Sequence, residues 1–255
     1  MSARPNRETL TPMASLSYVG FHVVFVVPVL LVLGVVAASR RGDSRQVVRT
    51  VPFVAIVVLA LAYTTPWDNY LISRGVWWYG DGAVVDRLWL APIEEYLFIL
   101  LQPVAVTLWL AVVSVAFEWP SDPGPMTVAD RSLGVLAGLS VGTVGLAMLL
   151  SRPTYYMGAI LAWAGPVLAL QWAVGWPYLL RRWRLLAVAT FVPATYFAVA
   201  DRIAIDAGIW QISSDVTTGL TVGGLPIEEG AFFLVTTLFV VQGLVLYPWV
   251  IERWR

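Results

Sequence analysis

The sequence predicts an all-α membrane protein: a polytopic helix bundle of seven transmembrane helices, formed by two parallel three-helix repeats joined by a linker helix. Three observations predict it. Of the 255 residues, 59% are hydrophobic and only 13% charged, with a mean hydropathy of +0.76, which is too apolar for a soluble domain. Seven apolar stretches approach or exceed the roughly 20 residues needed to cross a bilayer. The tetrapeptide Pro-Ile-Glu-Glu occurs twice, at 92–95 and 226–229, and each copy opens a long apolar run.

The spans fall at about 17–38, 47–66, 91–117, 131–151, 155–176, 184–200 and 225–249. The first follows a polar N-terminal segment and is too long for a signal-peptide core, so it reads as a retained span. The second ends at Pro66 and leads into an aromatic connection in which Gly80-Asp81-Gly82 reads as a turn. The third opens on the first Pro-Ile-Glu-Glu, with proline at the first helical position, where its missing N–H costs nothing. The stretch Glu118–Pro125 is rich in proline and reads as a linker. Gly138 and Gly142 in the fourth span fit close helix packing. Gln102 and Gln242 are polar groups that bind helices together, and His22 in the first span makes a helix–helix hydrogen bond. The resulting division is a first three-helix repeat at 17–117, a linker with its helix at 118–152, and a second repeat at 153–250.

All 16 basic residues are arginine. Arg40, Arg41, Arg45, Arg49, Arg131, Arg181, Arg182, Arg184, Arg253 and Arg255 fall on one side of the bundle. Arg4, Arg7, Arg74, Arg87, Arg152 and Arg202 fall on the other. The positive-inside rule then places the C-terminus in the cytoplasm and the N-terminus outside.

The repeat is visible residue by residue. Asp68, Ile72, Gly75 and Trp77 match Asp201, Ile205, Gly208 and Trp210 at a constant offset of 133. After one inserted residue, Pro92, Ile93, Glu94, Glu95 and Phe98 match Pro226, Ile227, Glu228, Glu229 and Phe232. A three-helix unit reverses its direction across the membrane, and one extra helix makes two such units parallel. Asp68, Asp201 and the four glutamates then converge at one membrane depth, about an axis along the membrane normal.

Several classes are excluded. The chain has no cysteine, so it has no disulfide and no thiolate metal site. It has one histidine, which rules out a His-rich metal centre. Without lysine it cannot hold retinal through a Schiff base. A net charge of zero gives no footprint for nucleic acid, and no Gly-x-Gly-x-x-Gly supports a dinucleotide fold.

Acidic residues in the first turn of a helix also suit the helix dipole and the water interface. Two adjacent ones, repeated in both halves, ask for more. Neighbouring glutamates point about 100° apart on a helix, so one of each pair faces the bundle interior while the other meets a neighbour or water. A carboxyl held out of water favours its neutral form, and a nearby carboxylate strengthens that preference. A partner kept ionised by the dipole or by an arginine supplies a base. Arg202 beside Asp201 is such a counter-charge, with Asn69 in the matching place. Most of the 13 tryptophans and 10 tyrosines read as interfacial belts, Trp119 and Trp249 among them. Trp77, Trp78 and Trp210 differ, because they lie between an aspartate and a Pro-Ile-Glu-Glu element. With Phe98 and Phe232, one turn below the glutamates, they offer faces to a cation.

Pro-Trp-Asp-Asn-Tyr at 66–70, Pro-Ile-Glu-Glu-Tyr at 92–96 and the degenerate second copy resemble the membrane lycopene cyclases. These occur as two small three-helix subunits in some bacteria and as one fused chain in haloarchaea. The resemblance covers roughly 17–250. It implies a carotenoid β-cyclase in the cell membrane, taking lipid-soluble lycopene to β-carotene with no cofactor and no metal. The candidate catalytic residues are Glu94, Glu95, Glu228, Glu229, Asp68 and Asp201. Trp77, Trp78, Trp210, Phe98, Phe232, Tyr96, Asn69 and Arg202 are candidates for contacting the substrate or its cation. The halves are unequal: Ala200-Asp201-Arg202 replaces Trp67-Asp68-Asn69, and Gly230 stands for Tyr96. The alternatives are a small-solute or proton-coupled transporter of 3+1+3 topology, and a carotenoid hydratase or prenyltransferase.

Overall fold

The computed structural model describes residues 16–40, 50–117 and 124–254. Most of the predicted linker, the polar N-terminal segment, Trp119, Arg4, Arg7, Arg41, Arg45, Arg49 and Arg255 lie outside the described residues. Among the described residues, seven helices are long and apolar enough to cross a membrane. They are α1 (Tyr18–Ser39), α2 (Thr50–Ser73), α3 (Ile93–Ser114), α4 (Val128–Met148), α5 (Tyr155–Arg181), α6 (Trp183–Asp206) and α7 (Ile227–Trp254).

Four helices run well past their predicted ends: α5 reaches Arg181 instead of 176 and α7 Trp254 instead of 249, and α2 and α6 overrun furthest. The apolar runs stop near 66 and 200, but α2 continues to Ser73 and α6 to Asp206. Hydropathy marks where side chains turn polar, not where the backbone stops coiling. The true stops of α2 and α6 are glycines. Gly75 and Gly208 take φ of 67° and 72°. Behind them Val76 N–H bonds Leu71 O at 3.1 Å, and Ile209 N–H bonds Ala204 O at 3.0 Å. This is the left-handed cap that closes a helix and frees the chain to turn. Asp68 and Asp201 are thereby held on the last turns of rigid helices.

Six short strands fill the two connections. Trp77–Tyr79 (β1) pairs antiparallel with Trp210–Ile212 (β4), so one ribbon stitches the first half of the chain to the second. Under the offset of 133 the ladder is symmetric about the Trp78–Gln211 pair. The flanking bonds keep that symmetry: Ser213 N–H to Val76 O at 2.8 Å, and Gly80 N–H to Ile209 O at 3.0 Å. Each half also carries a small hairpin, Arg87–Leu88 (β2) with Ala91–Pro92 (β3) and Thr221–Val222 (β5) with Leu225–Pro226 (β6). Pro92 and Pro226 therefore end a strand, one residue before the position predicted for them. The second hairpin turns through Gly223 and Gly224, both at positive φ, whereas the first forces Trp89 to 62°, a conformation disfavoured for a bulky side chain.

α4 packs closely against α5, and every buried residue of α4 is a glycine. Its buried residues are Gly134, Gly138, Gly142 and Gly145. A Cβ on Gly138 would lie 2.1 Å from Ala169 N, and one on Gly165 across the seam 2.5 Å from Gly142 Cα. Backbones this close maximise dispersion contact where no hydrophobic force separates helix from lipid. Gln102 does bridge helices, through Thr237 of α7 at 3.3 Å. No bond is made by the buried Gln242 Oε1. His22 departs from its prediction: its Nδ1 meets Tyr18 O of the same helix at 2.9 Å, within a π-helical turn at His22–Val26.

Candidate active site

The last turns of α2 and α6, the first turns of α3 and α7, and the β1–β4 ribbon surround a chamber of about 50 Å³. Four carboxyls line it: Asp68, Glu95, Asp201 and Glu229. They come from four different helices, as expected if equivalent positions in the two halves face one another. The chamber adjoins an apolar groove of about 550 Å³ between α2, α3, α5 and α7. The groove runs from Thr64 to Pro52 on α2 and from Phe232 to Tyr247 on α7. At 1.5 Å per helical residue that is about 20 Å along the helices. Glu95, Phe98 and Phe232 line both spaces and so mark the passage between them.

Each carboxyl has its own partners. Glu95 Oε2 accepts two phenolic hydrogens, from Tyr18 at 2.9 Å and from Tyr79 at 2.8 Å. The Tyr79 hydroxyl is itself braced by Trp77 Nε1 at 3.2 Å. Burial, and then the carboxyl of Glu95, holds the Tyr79 phenol well above its ordinary range, so it remains a donor across physiological pH. Asp201 Oδ1 accepts from Trp210 Nε1 at 2.8 Å. Glu229 lies against the Tyr156 hydroxyl. Asp68 Oδ2, Asp201 Oδ2 and Glu229 Oε1 are buried without a hydrogen-bond partner. An unsatisfied buried polar group costs about 1–3 kcal/mol. Three around one cavity is an arrangement that stability alone does not favour.

The other predicted residues divide. Trp77 and Trp210 line the chamber with Phe98 and Phe232. Trp67 stacks on Phe232, with ring centroids 5.7 Å apart and planes within 5°. Trp78 does not reach the chamber; alternation along β1 turns it outward. Glu94 and Glu228, rotated by one residue from their neighbours, stand outside the chamber and anchor loops. Glu94 Oε1 accepts from Val85 N–H at 2.7 Å. Glu228 Oε1 accepts from the N–H and hydroxyl of Thr218 at 2.7 and 2.8 Å. Asn69 Oδ1 takes the N–H groups of Leu90 and Ala91, tying the first hairpin to α2. Arg202 holds the second hairpin through Gly223 O at 3.3 Å and pairs with Asp206, so it is a brace and not the counter-charge of Asp201. Tyr96 donates to Leu88 O at 2.6 Å and belongs to the same brace as Asn69. Among the described residues no group of three or more Asp, Glu, His or Cys side chains is disposed to hold a metal ion.

Sequence reasoning missed Tyr18, Tyr79 and Tyr156, along with Phe21 and Phe233 in the chamber wall. Tyr18 and Tyr156 are equivalent. Each lies in the first turn of the first helix of its half, and their N–H groups bond Ala83 O and Val216 O, which are themselves related by the offset of 133. The tyrosines lie 138 residues apart, so a constant-offset comparison passes over them. Tyr79 has no counterpart, because Ile212 stands in its place.

The lycopene cyclase family matches residues 18–113 and 153–247, two segments that contain all four chamber carboxyls. The chain belongs to the lycopene cyclase family. It is 53% identical to the lycopene beta-cyclase of Halobacterium salinarum strain R1, over 94% of this chain and 99% of the relative. The same identity and coverage hold for strain NRC-1. It is 29% identical to the bifunctional lycopene cyclase/phytoene synthase of Blakeslea trispora, over 89% of this chain but 38% of that longer protein. No solved structure matches the chain. As a member of this family with seven apolar helices, the chain is a membrane-embedded enzyme with a lipophilic carotenoid substrate.

Proposed function

We propose that the protein is a lycopene β-cyclase of the cell membrane, converting lycopene to β-carotene by proton transfer without net redox change. The observation that carries the reading is the meeting of four carboxyls with an aromatic wall at the end of an apolar groove. The hydrocarbon lies in the groove and presents one end to the chamber. A carboxylic acid protonates the terminal isopropylidene double bond. The neighbouring double bond attacks the tertiary cation and closes a six-membered ring. A carboxylate then removes a ring proton, and the electrons of that C–H bond become the ring double bond. One proton enters and one leaves, and the four neighbouring carboxyls pass the proton back without bulk water.

The rings of Trp77, Trp210, Phe98 and Phe232 give the cation a face worth about 0.5–2 kcal/mol each and no lone pair to trap it. The site is composite, since each half of the chain supplies one aspartate and one glutamate. We assign residues 17–117 and 153–250 as the two units, with α4 as the joint.

The test is pigment analysis in a lycopene-accumulating host. Wild type yields a ringed product of unchanged mass, whereas a hydratase or prenyltransferase raises the mass and a transporter leaves lycopene intact. Glu95→Gln and Glu229→Gln remain in the membrane and lose ring formation by about 10²–10⁴-fold, the range for a missing general acid or base. Full activity in both variants would remove the assignment.

A further inference from the structure

We infer that Tyr18 and Tyr79 fix Glu95 as the acceptor of the ring proton, and that its place at the passage selects the β ring over the ε ring. The inference rests on the cyclase reading and deepens it.

After ring closure the positive charge sits on the methyl-bearing ring carbon. Three neighbours can lose a proton to quench it. Loss from the ring carbon that carries the polyene gives a β end, loss from the ring methylene gives an ε end, and loss from the methyl gives an exocyclic methylene. In each case the C–H electrons become the new double bond and the proton leaves to a base. The cation is the same in all three cases, so the position of the base decides.

The polyene leaves the chamber along the groove, so the carbon that carries it is the ring atom nearest the passage. Glu95 is the one chamber carboxyl that also lines the groove. Asp68, Asp201 and Glu229 line the chamber only, each with an unpartnered oxygen, where the terminal double bond arrives first. The donor therefore stands deep and the acceptor at the mouth. Two phenols on Oε2 suit a group that accepts hydrogens, and they leave Oε1 to take the proton. Glu229 lacks the second phenol, because Ile212 replaces Tyr79 in its half.

The experiment compares ring types in lycopene-fed membranes carrying wild type, Tyr18→Phe, Tyr79→Phe, both together, or Glu229→Gln. Each tyrosine substitution removes one of the two bonds that hold Glu95 Oε2 in place. The expected result for the tyrosine variants is a rise of about tenfold in the ratio of ε and exocyclic ends to β ends, with ring closure retained; tenfold is about 1.4 kcal/mol in relative barrier. Glu229→Gln is expected to lower the total without moving that ratio. A uniform loss of product with β ends only would overturn the inference. So would a membrane-inserted double variant that forms no ring, since the Glu95 carboxyl itself is still present to take a proton. If the double variant is not recovered in the membrane, each single variant decides by the same ratio. Failure of wild type to form any ring would instead overturn the proposed function.

Discussion

Glu94 and Glu95 are adjacent and chemically identical, yet a turn of about 100° sends them to different tasks. Glu95 meets the chamber, and Glu94 caps a loop at Val85. The same split recurs at Glu228 and Glu229. The sequence displays the four acids but not which of each pair faces inward, because that depends on where the helix begins, and a strand occupies the proline that looked like its first residue. Glu228 is fully buried. Replacing it with alanine strips Thr218 of its acceptor at a cost of about 1–3 kcal/mol. The expected outcome is a lower melting temperature of the detergent-solubilised protein, with turnover per folded molecule reduced far less than in Glu95→Gln; equal loss of turnover in both would place Glu228 in the chemistry. Asn69 and Arg202 show another limit of the letters: the side chains are unlike, yet both tie a hairpin to the helix before it.

The existence and order of the helices were legible because a bilayer demands long apolar runs, and it was their ends that hydropathy misjudged. The signal was present in Gly75 and Gly208, noted as repeat identities and acting in the fold as left-handed caps. The ribbon was not legible, because three-residue strands built of tryptophan and tyrosine look like an interfacial belt. Had β1 been read as a strand, alternation would have turned Trp78 out and Tyr79 in beside Trp77. α4 illustrates an element whose docking rests on an absence of side chains. Gly138→Leu has no room against the Ala169 backbone. It is expected to part α4 from α5 at a cost of at least about 1–3 kcal/mol, the usual range for overpacking. Faster proteolysis of the connection between α4 and α5 in membranes would register it. Gly34, with open space around its Cβ position, is the control that should leave the rate unchanged when made leucine.

For the whole molecule, the first turn of α7 lines the chamber and its far end carries the C-terminus, so the two lie on opposite faces, and the arginine distribution predicts that the chamber face is the outer one. The chain contains no cysteine, so a single introduced thiol reports on one site only. Asp81→Cys, exposed beside the ribbon, is expected to react with a membrane-impermeant maleimide added to intact cells; protection until the cells are lysed would reverse the orientation. The ribbon between the halves bears on how alike they must be. It is fastened by main-chain atoms, which are the same in every residue. Side chains on either flank can therefore differ while the register holds, as Tyr79 and Ile212 do at equivalent places. Under the proposed reaction, a frame close to twofold holds unlike side chains around one chamber, and that inequality is what would confine the new double bond to a single position.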